Sequence, residues 1–349
     1  MVFPSVSAGA GRDPWSEDGP PAGFPPPRTG PDLDDFVAPR KRRGPRRFRI
    51  GGPSVYRPDE VDDDDDDEFD EEEIEPVEVN KRLSLTVAGF ALLLGLGLVL
   101  AAQTTGPGHR LPFAIVIFGV QLLFVLAWTM ATRPPALLVV ALVGAATAAT
   151  ADTVAVRSAE ARLVPLLYVA AGGFVVTVLG QLVRQADRRR VTDSFRTNLL
   201  VVAGVVGFAT LLPLSRIPAG TQTITVGLTA TALALTVARI TDAVLPWPRL
   251  APQVPRGAAG VVLGAMLGTL TSGVLGSFLV GFTPTSAALV GLVAAATAVL
   301  ADLAVGYAEA GRLMAGEPPT FWIARHMQGP LGGIALAAPA AYLMCVLFL

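Results

Sequence analysis

The chain has 349 residues, 52% of them hydrophobic, and a mean hydropathy of +0.53. This excludes an ordinary soluble domain and fits a polytopic membrane protein. The net charge of −2 sums two unlike parts, because 21 of the 29 acidic residues precede Leu83 and the rest of the chain is nearly uncharged. A single cysteine, Cys345, excludes an intrachain disulfide and a cysteine metal cluster.

Residues 1–82 are rich in proline, glycine and charge. Such sequence buries too little apolar surface to offset chain entropy, so a disordered tail is expected. The first 80 residues contain no apolar h-region, so no cleavable signal peptide is expected. Two opposed blocks lie in the tail. Arg40, Lys41, Arg42, Arg43, Arg46, Arg47 and Arg49 form a basic cluster suited to anionic headgroups or a protein partner. Asp59 to Glu78 holds fifteen carboxylates, which can attract that cluster or a basic cytosolic protein. It lacks the glycine and glutamate spacing of a calcium loop. Nucleic acid is not an expected partner.

Nine apolar runs follow, at 83–103, 112–131, 134–151, 163–183, 197–214, 222–245, 258–282, 285–307 and 331–349. Each spans, or nearly spans, about 30 Å of hydrocarbon, the third and fifth being the shortest fits. The expected fold is all-α: a transmembrane helix bundle over 83–349 behind the cytoplasmic tail. With the tail inside, ten arginines flank the spans on the cytoplasmic side and four (Arg110, Arg157, Arg162, Arg216) on the outer side. That bias predicts a cytoplasmic amino terminus and an external carboxyl terminus. Lysine is confined to Lys41 and Lys81 while Arg, Ala, Gly, Val and Pro abound, the bias of a GC-rich bacterial genome. The expected location is therefore the bacterial plasma membrane.

Charges within spans are few and are candidates for function. Arg239 and Asp242 share one face near the cytoplasmic end of the sixth span, and Asp302 lies at similar depth in the eighth. The two aspartates can hold a divalent cation between them; alternatively Arg239 pairs with an aspartate and neutralises the cluster. Asp152 and Glu160 are expected in solvated outer loop. His109 and His326 are expected in loops, without a catalytic role. In the seventh span Gly260, Gly264 and Gly268 fall four apart on one face. They serve either a dimer contact or close packing within the bundle.

Four stretches in the second half share an order. They are ITDAV (Ile240–Val244), LAPQVPRGAAGVVLG (Leu250–Gly264), LADLA (Leu300–Ala304) and IARHMQGPLGGIALAAPAAYLM, from Ile323. In that order they resemble the closing motifs of the phosphatidate cytidylyltransferases, the CDP-diacylglycerol synthases, over about residues 160–349. The resemblance puts Asp242 and Asp302 at family aspartates and Arg256 in place of one lysine. The departures fall on the chemistry. The family's Lys-Lys-Ser-Trp-Glu has become Arg256-Gly257-Ala258-Ala259-Gly260. Its Lys-Arg-Asp corresponds to about Glu309-Ala310-Gly311, and its Asp-Arg-x-Asp to Gly329-Pro330-Leu331-Gly332. Cytidylyl transfer needs cations around the triphosphate and a metal to align it. The resemblance with these losses implies a non-catalytic relative, acting as a scaffold or regulatory subunit, with Arg239, Asp242, Arg256 and Asp302 as a remnant site. No cofactor is expected; Mg²⁺ enters only if activity survives. An active cytidylyltransferase-like enzyme and a transporter or lipid-export component are the competing readings. The absence of a convincing internal repeat weighs against the transporter.

Overall fold

The computed structural model describes residues 77–105, 110–134, 136–182, 188–318 and 320–348. The basic cluster Arg40–Arg49, most of the acidic block, His109 and Arg184 lie outside the described residues. In chain order the elements are α1 Lys81–Thr105, α2 Arg110–Thr132, α3 Leu137–Arg157, α4 Val164–Leu182 and α5 Arg188–Ala209. The one-turn α6 Leu211–Leu214 and then α7 Gly220–Val244 follow. A short hairpin, β1 Arg249–Ala251 and β2 Val254–Gly257, leads into α8 Ala258–Gly276, α9 Pro284–Met314 and α10 Trp322–Phe348.

The fold is all-α, with the antiparallel β1–β2 hairpin as its one sheet among the described residues. Among the described residues, eight helical stretches are long and apolar enough to cross a membrane; one of them, Ser194–Leu214, runs through α5 into α6. The molecule is thus a multi-pass membrane protein. Outward-facing leucines such as Leu93, Leu138 and Leu142 are exposed, as expected where lipid is the solvent.

Side-chain hydrogen bonds show which helix ends lie together. At one end Ser84 donates to the Arg239 carbonyl (2.6 Å), and Arg312 to that of Ala131 (2.9 Å). At the other, Arg216 of the α6–α7 loop donates to the Ala155, Ser158 and Ala159 carbonyls (2.9, 2.8 and 2.9 Å). There too the Tyr342 hydroxyl donates to the Ala161 carbonyl (2.8 Å). The end of α3 and the start of α7 therefore share one end of the bundle. Between them α4 must go and α5 return. At 19 residues α4 is about 28 Å long, just short of the hydrocarbon thickness.

Helix ends depart from the apolar runs where polar residues are helical. α10 starts at Trp322 rather than 331, since Gln328, Gly329 and Pro330 are buried within the bundle. α3 continues to Arg157, six residues past the apolar run. α9 opens on a capping box. The Thr283 hydroxyl accepts from the Ser286 N–H (3.1 Å), the Ser286 hydroxyl accepts from the Thr283 N–H (3.0 Å), and Pro284 takes the first turn.

α7 lies among α1, α8, α9 and α10. The α8 stripe Gly260, Gly264 and Gly268 is buried against it. A Cβ on Gly264 would sit 2.5 Å from the Ala234 carbonyl oxygen, and one on Gly268 2.7 Å from that of Ala230. The small-residue face is thus taken up inside the chain, where it lets two backbones approach closely.

Candidate functional site

The site forms where α7 stops. Pro246 and Pro248 flank Trp247 and break the helix. The chain then doubles back through the hairpin, steadied by the Arg249 guanidinium over the Trp247 ring (5.5 Å to the centroid). This return carries Arg256 under the end of α7 and next to α9. The Gly257 N–H, at the start of α8, donates to Asp242 Oδ1 (2.9 Å). The Ala258 N–H donates to the Pro248 carbonyl (2.8 Å).

Arg239, Asp242, Arg256 and Asp302 come together here. Arg256 pairs with Asp242 Oδ2 (2.9 Å) and with Asp302 Oδ2 (2.7 Å). Arg239 engages Asp302 through both Nε (3.1 Å, to Oδ2) and Nη2, which pairs with Oδ1. The quartet holds two positive and two negative groups. Three of the four are almost completely enclosed, and the Arg239 side chain keeps 19% of its surface. Burial alone would depress the Arg256 guanidinium, but the carboxylates of Asp302 and Asp242 outweigh it and hold the group above its usual value.

The pairing is crossed with respect to the sequence. Arg239 does not pair with Asp242, its neighbour on the same helix face; it reaches Asp302 on α9, and Asp242 is matched by the hairpin's Arg256. The arrangement leaves the aspartates poorly suited to a metal. Arg256 touches both and stands where a shared cation would have to sit. Among the described residues no group of three or more His, Cys, Asp or Glu converges on one point. A Mg²⁺ held by these two carboxylates and waters would have to displace Arg256.

Gly329 of α10 completes the enclosure. A Cβ there would collide with Asp302 Oδ1, and would lie 2.9 Å from Asp302 Cγ and 3.1 Å from Arg239 Nη2. Only a residue without a side chain lets α10 close over the carboxylate. Beside the quartet a cavity of about 270 Å³ is lined by Arg239, Arg256, Glu309, Arg325 and His326. Glu309 and Arg325 form an ion pair at 2.6 Å. His326 lies in α10 rather than in a loop, its ring edge-on to Trp322 (centroids 5.3 Å apart). The segment before α1 also lines this cavity, and its Val77 N–H donates to the Pro252 carbonyl (3.0 Å).

A second polar site was not visible in the sequence. Asp152, expected in solvated outer loop, is instead inside α3 and 6% exposed. The helix continues past the apolar run, and its register turns Asp152 toward α2. There Gln121 Nε2, fully buried at the midpoint of α2, donates to Asp152 Oδ1 (3.0 Å) and to the Val205 carbonyl of α5 (2.9 Å). Glu160 is exposed as expected, paired with Arg162 (2.8 Å).

Compared with known proteins, the chain matches no family model, no curated protein and no solved structure.

Proposed function

We propose that this protein is a non-catalytic integral membrane scaffold or regulatory subunit, a disarmed relative of the phosphatidate cytidylyltransferases. It resides in the bacterial plasma membrane, with its amino terminus cytoplasmic, and its charged tail, residues 1–82, makes the cytosolic contact. One observation carries the reading. Both Asp302 oxygens and Asp242 Oδ1 accept hydrogen bonds from the same chain, and Asp242 Oδ2, without a hydrogen bond, lies 2.9 Å from the Arg256 guanidinium. Metal-assisted cytidylyl transfer needs open oxygens to bind a cation and free basic groups to meet the triphosphate. Here both guanidiniums are drawn onto the aspartates, Arg239 and Arg256 each bonding Asp302. Gly329, which the resemblance puts at a family aspartate, has no room for a carboxylate. The quartet then works as a brace joining α7, α9 and the hairpin.

The test is conversion of phosphatidic acid by the purified protein in lipid with CTP and Mg²⁺. No turnover above the protein-free background is expected. CDP-diacylglycerol formation that disappears in Asp242→Asn overturns the proposal. The tail's part is tested by deleting residues 1–78 and comparing co-purifying proteins; an unchanged set sinks it.

A further inference from the structure

The Asp152–Gln121 pair contains three side-chain oxygens able to accept and only two N–H groups able to donate. Both N–H groups are used, one on Asp152 Oδ1 and one on the Val205 carbonyl. Asp152 Oδ2 and Gln121 Oε1 are left buried and without a partner among the described residues. Two orphaned acceptors on groups already joined to each other indicate a missing donor, because buried polar atoms are otherwise paired. Among the described side chains no cation supplies it, and Arg188, Arg189 and Arg190 lie at the far end of α5 from Val205, fifteen or more residues along the helix. Of the elements packed on α3, α4 and α6 carry no charged side chain. The only charged residue of α2 is Arg110, which donates to the Val156 carbonyl (3.3 Å), and Arg216 of the α6–α7 loop is committed to three carbonyls. Arg157 at the end of α3 and Arg196 of α5 are exposed. An ionised carboxylate enclosed among apolar helices with no counter-charge is strongly disfavoured.

We infer that Asp152 is an intramembrane proton-binding site, holding a proton at neutral pH as a carboxylic acid hydrogen-bonded to Gln121. The proton supplies the donor that the pair lacks and removes the charge. Asp152 thereby ties α2, α3 and α5 together as a neutral polar clasp, in contrast to the ionised quartet at the other end of the bundle. This inference does not rest on the scaffold reading; it stands or falls on the α2–α3–α5 packing alone.

The test is infrared spectroscopy of the whole protein in lipid, with aspartate labelled by ¹³C at its side-chain carboxyl. At neutral pH an isotope-shifted carboxylic-acid C=O band is expected in the intact chain and absent in Asp152→Asn. Asp242 and Asp302 are unchanged in Asp152→Asn, so the difference between the two spectra isolates Asp152. The band is expected to be the same in sodium-free and sodium-rich buffer; its loss on adding sodium would mark a metal-cation site and overturn the inference. So would its absence from the labelled wild-type chain at neutral pH, which decides the matter even without a variant. Asp152→Asn, a neutral isostere, is expected to melt within about 3 °C of wild type, while Asp152→Ala melts lower. An Asp152→Asn protein that fails to fold, or falls as far as the alanine variant, equally counts against a neutral acid.

Discussion

Arg256→Met removes the hub of the quartet while roughly preserving its apolar bulk. The guanidinium leaves contacts of 2.9 Å to Asp242 and 2.7 Å to Asp302, and the site falls from neutral to one net negative charge. Arg239 still covers Asp302, so the stranded group is Asp242, left with the Gly257 N–H as its only partner. Breaking a buried ion pair from one side costs about 3–5 kcal/mol, because the surviving charge stays enclosed. At roughly 2–4 °C per kcal/mol for a domain of this scale, the melting temperature should fall by roughly 6–20 °C. Intrinsic tryptophan fluorescence in detergent follows it directly, since Trp247 stands against the hairpin that carries Arg256. Adding Asp242→Asn to Arg256→Met removes the stranded charge and should restore part of the loss. A single variant that melts within about 2 °C of wild type, or a double variant no better than the single, refutes the brace. So does a wild-type melting temperature that climbs with millimolar Mg²⁺, which would mean that the carboxylates are open to a cation after all.

Gly329→Ala puts a methyl group onto Asp302 Oδ1 and should lower stability by about 1–3 kcal/mol, read as a lower denaturation midpoint. Gly264→Val drives α8 off the Ala234 carbonyl and should cost a similar ~1–3 kcal/mol; an unchanged melting curve would show that the two helices can separate freely. Arg216→Gln removes a guanidinium that serves three carbonyls at the end of α3. It should destabilise by about 1–3 kcal/mol and speed amide exchange at the α3–α4 turn.

Every apolar run in the sequence corresponds to a helix, because twenty or so apolar residues in hydrocarbon have few alternatives to helix. What hydropathy misplaced were the ends. Asp152 interrupts the apolar pattern of α3 and so reads as a boundary, yet the helix continues and buries it. The start of α10 was obscured in the same way by Gln328, whose polarity is absorbed inside the bundle. Arg239, Asp242 and Asp302 were visible as rare charges within spans and Arg256 only through the resemblance, but the pairing of the four was not. Partner choice is set by the hairpin, three and four residues per strand, too short for any alternating signature and recognisable only by its flanking prolines. The Gln121 contact was equally hidden, since a single glutamine in an apolar helix says nothing of what faces it.

Val77 has a consequence for any pull on the chain ahead of it. Its N–H is held by the Pro252 carbonyl and its own carbonyl accepts from Arg249, so this residue is stitched to the first strand of the hairpin and to its turn. Tension applied upstream reaches that ribbon before it reaches α1. The same ribbon, a few residues on, carries the guanidinium that keeps two aspartates quiet. A tug at the front of the molecule is thereby delivered, through two hydrogen bonds and a tight turn, to its most highly charged interior point.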